Sequence, residues 1–280
     1  MRDKFYFMLV LSSLLIHPVA QGGGFNQNVI LSTTTSTQDS GLLDVLIPLF
    51  ETQTGYRVKT VSVGTGQALA LAAKGDADVA LVHAPSLEKI YVAQGKLLNR
   101  RLVMYNDFVI IGPKEDPAKI RSQKSAVAAL RSIAQAKAGF VSRGDNSGTH
   151  GLEKSLWKAA GIEPKGPWHI ESGQGMGATL GIANERNLYT ITDRGTYLAL
   201  HKRVTLPILV QGDKRLLNLY SVMEVNPGNG PRINTAGGKA FADFLVAPQT
   251  QDVISKFGVE KYGQPLFTPV ADKQEESLGV

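Results

Sequence analysis

Residues 28–55 read NVILSTTTSTQDSGLLDVLIPLFETQTG. Val29, Ile30 and Leu31 form a short apolar, β-branched run of the kind a buried strand favours. From Thr33 to Ser40 nearly every residue is a hydroxyl or another polar type, which suits neither a buried strand nor the apolar face of a helix. After Gly41 the apolar residues Leu42, Leu43, Val45, Leu46, Leu49 and Phe50 recur at helical spacing. The stretch is therefore a strand, a hydroxyl-rich turn and an amphipathic helix.

The same grammar returns along the chain. In YRVKTVSVGTGQALALAAKG (56–75) a strand ends at Ser62 or Val63, and a helix follows Gly64-Thr65-Gly66; ADVALVHAP (77–85) is a third strand. Strands that alternate with helices imply parallel pairing through right-handed crossovers. RRLVMYNDFVIIGPKEDP (100–117) is a long β-rich run ended by Gly112 and Pro113. Strand, loop and helix then recur at 139–161, 168–187 and 188–202, before LLNLYSVMEVNP (216–227) supplies a second long β-rich run and an amphipathic segment from Thr235 to Phe257 follows. Both long runs sit where the chain would pass between two lobes. The expected architecture is α/β, with mixed, mainly parallel sheets. One lobe is built from 25–108 plus 215–280 and the other from 109–214, and the two crossing segments act as a hinge.

Composition narrows the setting. The chain has 280 residues, 43 % of them hydrophobic, enough for real cores, and no cysteine, which excludes a disulfide framework and a lipid-bearing thiol. Residues 1–20, MRDKFYFMLVLSSLLIHPVA, place Arg2 and Lys4 before a short apolar run that ends near Ala20, the order of a cleavable secretory signal peptide. The expected location is the bacterial periplasm. Removing that segment takes away Arg2, Lys4 and Asp3, so the formal charge of +6 becomes +5, from 28 basic and 23 acidic residues. No run of Lys and Arg forms a nucleic-acid stripe, so nucleic acid is not expected as a partner. The tail ADKQEESLGV (271–280) is expected to be solvated.

Function gathers at the strand ends. In α/β sheets ligands sit beyond the carboxyl ends of the strands, and here those ends carry TTTSTQDS, SVGTGQ, SRGDNSGTH and ESGQGMG. All stand at predicted helix starts, where unpaired N–H groups and the helix dipole attract anions. Hydroxyls add donors and glycine permits close approach. A Ser or Thr at such a place is ordinarily only a cap. Five consecutive hydroxyls from Thr33 to Thr37 exceed what one cap needs, and four such junctions occur in one chain. The residues singled out as an anion cradle are Thr34, Thr35, Ser36, Thr65, Gly66, Arg143, Ser147, Gly148 and Thr149. Arg143 supplies the formal positive charge, with donors in a planar fork.

Other chemistries fit less well. GDNSG has the order G-x-x-S-G and not the G-x-S-x-G of a nucleophile elbow, and His150 lies three residues from Ser147, whereas triad partners come from distant segments. Gly173-x-Gly175-x-x-Ala178, with Asp193 downstream, matches a relaxed dinucleotide fingerprint, but it falls late in the chain and Asp193 sits in a TDRG turn. His83, His150, His169 and His201 have no partner at metal-ligand spacing. They are expected at the core edge or on the surface, and neither a metal site nor a cofactor is expected.

The stretches 33–51, 64–85, 140–161, 168–200 and 206–227, taken together, closely resemble the tungstate-binding periplasmic proteins of ABC transporters, and the likeness covers nearly all of residues 28–258. The resemblance implies a type II periplasmic-binding-protein fold. It implies capture of tungstate, or its near-twin molybdate, for delivery to a membrane permease by a monomer that is not an enzyme. The family's hydroxyl motif falls on Thr33 to Ser36, its second-strand loop on Ser62 to Gly66, and its arginine and threonine on Arg143 and Thr149. RGDNSGT also resembles phosphate-binding proteins, so phosphate transport is the alternative, and an exported enzyme acting on an oxyanion ester a more distant one. Phosphate near neutrality keeps a proton and accepts a carboxylate beside it, whereas tungstate is a bare dianion that a carboxylate repels. On the tungstate reading Asp145 is expected to turn away from the ligand, toward Arg143 or backbone N–H groups.

Overall fold

The computed structural model describes residues 27–278; residues 1–20, expected to be a signal peptide, lie outside them. β1 (Asn28–Thr34) runs directly into α1 (Thr35–Asp39), and α2 (Leu42–Thr54) starts after Gly41, held at φ +79°. Then come β2 (Arg57–Val63), α3 (Thr65–Lys74), β3 (Val79–Val82), α4 (Pro85–Ala93) and β4 (Leu97–Ile111). The middle of the chain forms α5 (Ala126–Gln135), β5 (Phe140–Ser142), α6 (Gly148–Ala160), β6 (His169–Glu171), α7 (Met176–Arg186), β7 (Tyr189–Asp193), α8 (Arg194–Ala199) and β8 (Ile208–Val210). β9 (Leu217–Val225), α9 (Thr235–Val246), α10 (Pro248–Lys256), α11 (Val259–Tyr262), β10 (Thr268–Pro269) and α12 (Glu275–Leu278) complete it.

The strands follow the order β2-β1-β3-β9-β4-β7-β5-β6. β1 is parallel to β2 and β3, and β5 is parallel to β6 and β7, as helical crossovers require. The centre is antiparallel: β9 pairs with β3 on one side and β4 on the other. β4 changes partners along its length. Leu97 to Asp107 pair with β9, and Phe108 to Ile111 pair with β7. One fifteen-residue strand therefore belongs to both halves of the fold.

Helices cover both faces of each half. On one face of the first half, Leu42, Leu43, Leu46 and Phe50 of α2 pack with Val29, Leu31 and Phe241, and on the other Ala68, Leu69 and Ala72 of α3 pack with Val82 and Met223. In the second half Leu130, Ile133, Leu156 and Trp157 cover one face, and Leu180 and Ala183 the other. Each fully buried large side chain contributes roughly 1.5–3 kcal/mol through area removed from water. α9 belongs to the first half. Asp78 accepts from the N–H groups of Ile30 (2.7 Å) and Asn234 (2.6 Å), and a Cβ on Gly238 would overlap the Asp78 carbonyl oxygen.

Several expectations are corrected. The hydroxyl-rich turn is the end of β1 plus the turn of helix α1, because Thr34 caps Thr37 N–H at 3.1 Å. Val45 and Leu49 of α2 are 39 % and 38 % exposed; at about 100° per residue they fall off the 42/43/46/50 face. The segment 235–257 is two helices, since Ala247 is extended before Pro248 and Pro248 then starts α10. The tail is not simply solvated. Leu278 packs against Leu102, Leu219 and Val270, and Glu275 pairs with both Lys89 and Arg100 at 2.5 Å.

Candidate functional site

The carboxyl ends of β1, β2, β3, β5 and β7 converge on a cavity of about 360 Å³. Its lining includes Thr34, Thr35 and Ser36 from the β1–α1 junction, Gly64 and Thr65 from β2–α3, and His83 from the end of β3. From across the cavity come Arg143, Ser147, Gly148 and Thr149, then Gly175 to Gly177 and Asp193, Gly195 and Thr196, together with Asn106 of β4 and Tyr220 of β9. Eight of the nine singled-out residues line it. Gly66 does not: it lies one residue deeper in α3, turned about 100° from Thr65.

Five helices begin here, and they are capped differently. Thr34, Ser147 and Asp193 each cap their own helix, accepting from Thr37, His150 and Thr196 N–H. α3 and α7 start at Gly64 and Gly175, which have no side chain to offer, so no side-chain cap exists on either. Their first N–H groups are left for whatever occupies the cavity.

Arg143 is held in place by its own loop. Its Nε donates to the Gln174 carbonyl at 2.9 Å and its Nη2 to the Asp145 carboxylate, while Nη1 has no protein acceptor among the described residues. Asp145 also accepts from Ser147 N–H at 3.1 Å and does not line the cavity. Burial pushes the Asp145 carboxyl upward, but hydrogen bonds from Ser147 and Arg143 outweigh it and hold the group below the ordinary carboxylate range. The carboxylates that do line the cavity are Asp193, whose oxygens accept from Thr196 N (2.8 Å) and Oγ1 (2.7 Å), and Asp39 at the exposed end of α1. Formal charge therefore does not make the cavity positive. Its attraction for an anion lies in directed N–H and O–H groups and one guanidinium edge.

Sequence reasoning missed His83, Asn106 and Tyr220. His83 is 9 % exposed, and its Nε2 lies 3.0 Å from Ser36 Oγ and 3.1 Å from Thr34 Oγ1. Its Nδ1 lies 2.9 Å from Asn218 Oδ1. Burial lowers the ring from 6.5 to about 4 in spite of that hydrogen bond. Burial likewise raises the Tyr220 hydroxyl well above its usual value. The available signal was position alone: His83 directly follows a buried parallel strand. Gly148, at the start of α6, faces the same ring, and a Cβ there would stand 3.2 Å from His83 Cε1 and 3.8 Å from Thr65 Oγ1.

The rival chemistries meet specific obstacles. Ser147 Oγ accepts from His150 N–H at 3.3 Å, and the His150 ring accepts from Asn146 N–H at 3.0 Å, so the imidazole is turned to the backbone and not to the hydroxyl. The Asp193 carboxylate, which a dinucleotide reading would give to a ribose, caps α8.

Comparison with known proteins follows the same lines. A PBP superfamily domain is matched over residues 19–249. The tungstate-binding protein TupA of Peptoclostridium acidaminophilum is 48 % identical over 248 residues, 88 % of this chain and 87 % of that one. Among solved structures, the tungstate-binding protein TupA of Desulfovibrio alaskensis is 45 % identical with a TM-score of 0.78, over 87 % of this chain and 99 % of that one. The tungstate ABC transporter structure from Geobacter sulfurreducens is 50 % identical with a TM-score of 0.74, over 82 % and 99 %.

Proposed function

From the premise that the chain belongs to the PBP superfamily and, within it, to the tungstate-binding proteins, we propose that it captures the tungstate oxyanion, or molybdate, in the cavity between two lobes and delivers it to the membrane permease of an ABC transporter. The observation that carries this reading is the pair of uncapped helix starts, Gly64 and Gly175, on opposite sides of a cavity that also receives Arg143. Tungstate near neutrality is a tetrahedral dianion whose four oxygens only accept. A cavity lined by N–H and O–H donors suits it, and the engagement of Asp145 by Arg143 and Ser147 keeps the nearest loop carboxylate occupied.

The mechanism is binding with closure and not catalysis. The lobes, 25–108 with 215–280 and 109–214, rotate about the two crossing strands β4 and β9 until donors from both sides reach one anion. Gly148 against His83 and Thr65 is the contact through which α6 seats on the opposite lobe. The protein acts in the periplasm as a monomer after removal of residues 1–20. The test is calorimetric titration of residues 22–280, stripped of bound anion, with tungstate, molybdate, sulfate and phosphate. Tight binding of the first two, with sulfate and phosphate silent, is expected; preference for phosphate, or silence to all four, overturns the reading.

A further inference from the structure

The hydrogens around His83 can be counted. Asn218 Nδ2 lies 2.8 Å from Asn106 Oδ1 and 3.2 Å from the Tyr220 hydroxyl, so its amide nitrogen is committed to β4 and β9 and its Oδ1 faces His83 Nδ1. Nδ1 must therefore carry the hydrogen. In a neutral ring that leaves Nε2 with a bare lone pair. Two hydroxyls stand beside that lone pair, Thr34 and Ser36. Thr34 Oγ1 already accepts from Thr37 N–H at 3.1 Å and lies 2.6 Å from the Thr37 hydroxyl, which has no other acceptor among the described residues. With both its acceptor positions used, Thr34 has one hydrogen to give, and the acceptors in reach are His83 Nε2 and Ser36 Oγ, each at 3.1 Å. Ser36 Oγ lies 3.0 Å from Nε2 and is exposed to the cavity, so it covers the lone pair only by withholding its hydrogen from a ligand; when a ligand takes that hydrogen, Thr34 is the hydroxyl left to cover Nε2.

We infer that Thr34 and His83 form a specificity-determining pair: the Thr34 hydroxyl covers the Nε2 lone pair, so that this corner of the cavity presents donors only and discriminates against oxyanions that carry a proton. This rests on the oxyanion reading given above. With the lone pair covered, a proton-bearing oxyanion such as hydrogen phosphate has no acceptor there for its O–H, whereas a bare dianion loses nothing. With it uncovered, the preference turns round. The lone pair repels the oxygens of tungstate and accepts the proton of hydrogen phosphate. Burial of the ring, which keeps it neutral, supports the same arrangement.

Two measurements test the pair. First, the ¹⁵N shifts of the His83 ring in the anion-free, full mature chain at pH 7 are expected to show a neutral imidazole protonated at Nδ1; an Nε2–H tautomer or an imidazolium overturns the inference, whatever the ligand is. Second, tungstate and phosphate affinities are compared in Thr34→Val and Thr34→Ser. Thr34→Val is expected to lower the tungstate-to-phosphate affinity ratio by at least about tenfold, and Thr34→Ser, which keeps the hydroxyl, to restore it. An unchanged ratio in a folded Thr34→Val protein overturns the pair while leaving the oxyanion reading intact. Failure of the unaltered protein to bind tungstate overturns that reading instead. Should Thr34→Val not fold, the ring shifts still decide.

Discussion

Acidification from pH 7 to pH 5 is expected to destabilise the anion-free protein through His83. The ring is protonated with a value of 6.5 when the chain is unfolded and about 4 when it is folded, so over this range the unfolded state binds the extra proton. A group lowered in this way gives its full stability at pH above 6.5 and loses it as the pH falls toward 4. At pH 5 the unfolded state gains roughly a thirtyfold advantage, a loss of about 2 kcal/mol, rising to about 3 kcal/mol at pH 4. Carboxylates run differently. Asp116, Asp145, Asp243 and Glu275 are held low and give up stability only at still lower pH, while Glu88, raised by burial in spite of Arg100, favours the folded state in acid. Subtraction isolates the histidine. Urea unfolding of the wild type and of His83→Gln, followed by circular dichroism at pH 7, 6 and 5, should show the wild type losing about 2 kcal/mol more than the variant over that span. Parallel pH profiles in the two proteins would refute the claim that the folded protein holds this ring neutral.

Three further outcomes are expected. Arg143→Lys keeps the charge but cannot hold Gln174 and Asp145 while presenting a free edge, so titration should show tungstate binding weakened about tenfold or more and discrimination among oxyanions reduced. Gly148→Ala places a methyl 3.2 Å from His83 Cε1 at the point where α6 seats, and stopped-flow measurements should find faster tungstate release with little change in the unfolding midpoint of the empty protein. Gly238→Ala drives a methyl into the Asp78 carbonyl, a backbone atom that cannot swing aside, and should destabilise the fold by about 2 kcal/mol in urea without altering relative anion affinities.

Much of this molecule was legible because its punctuation is local. Gly41, Gly64 and Ser147 mark helix starts, the β-branched runs before them mark strands, and the rule that ligands gather at strand ends then brings Thr34, Thr65 and Arg143 to one cavity. What escaped was non-local. Asn106, Asn218 and Tyr220 are lone polar residues on strands, and they meet His83 only because β4 and β9 lie side by side at the sheet's centre. No spacing within the sequence announces that. β8 and β10, three and two residues long, exist because β4 offers them an edge and not because their own residues insist on a strand. The break at Pro248 is the opposite case: the proline states it, but the apolar period runs on past it.

β9 is the keystone between β3 and β4, and it is made late. Val79 of β3 finds its partner in Glu224, so when the chain is synthesised from its N-terminus β3 has no inner neighbour until the last quarter of the protein has emerged. Phe108 to Ile111 of β4 and the strands β5 to β8, all earlier in the chain than β9, can meanwhile pair among themselves. The four residues Val79 to Val82, all buried in the finished molecule, form an apolar sheet edge for that interval, a place where a nascent chain pairs with the wrong strand or is held by a chaperone. The arrangement that sets two antiparallel strands at the centre of the finished sheet also makes one half of the molecule wait for the other during its folding.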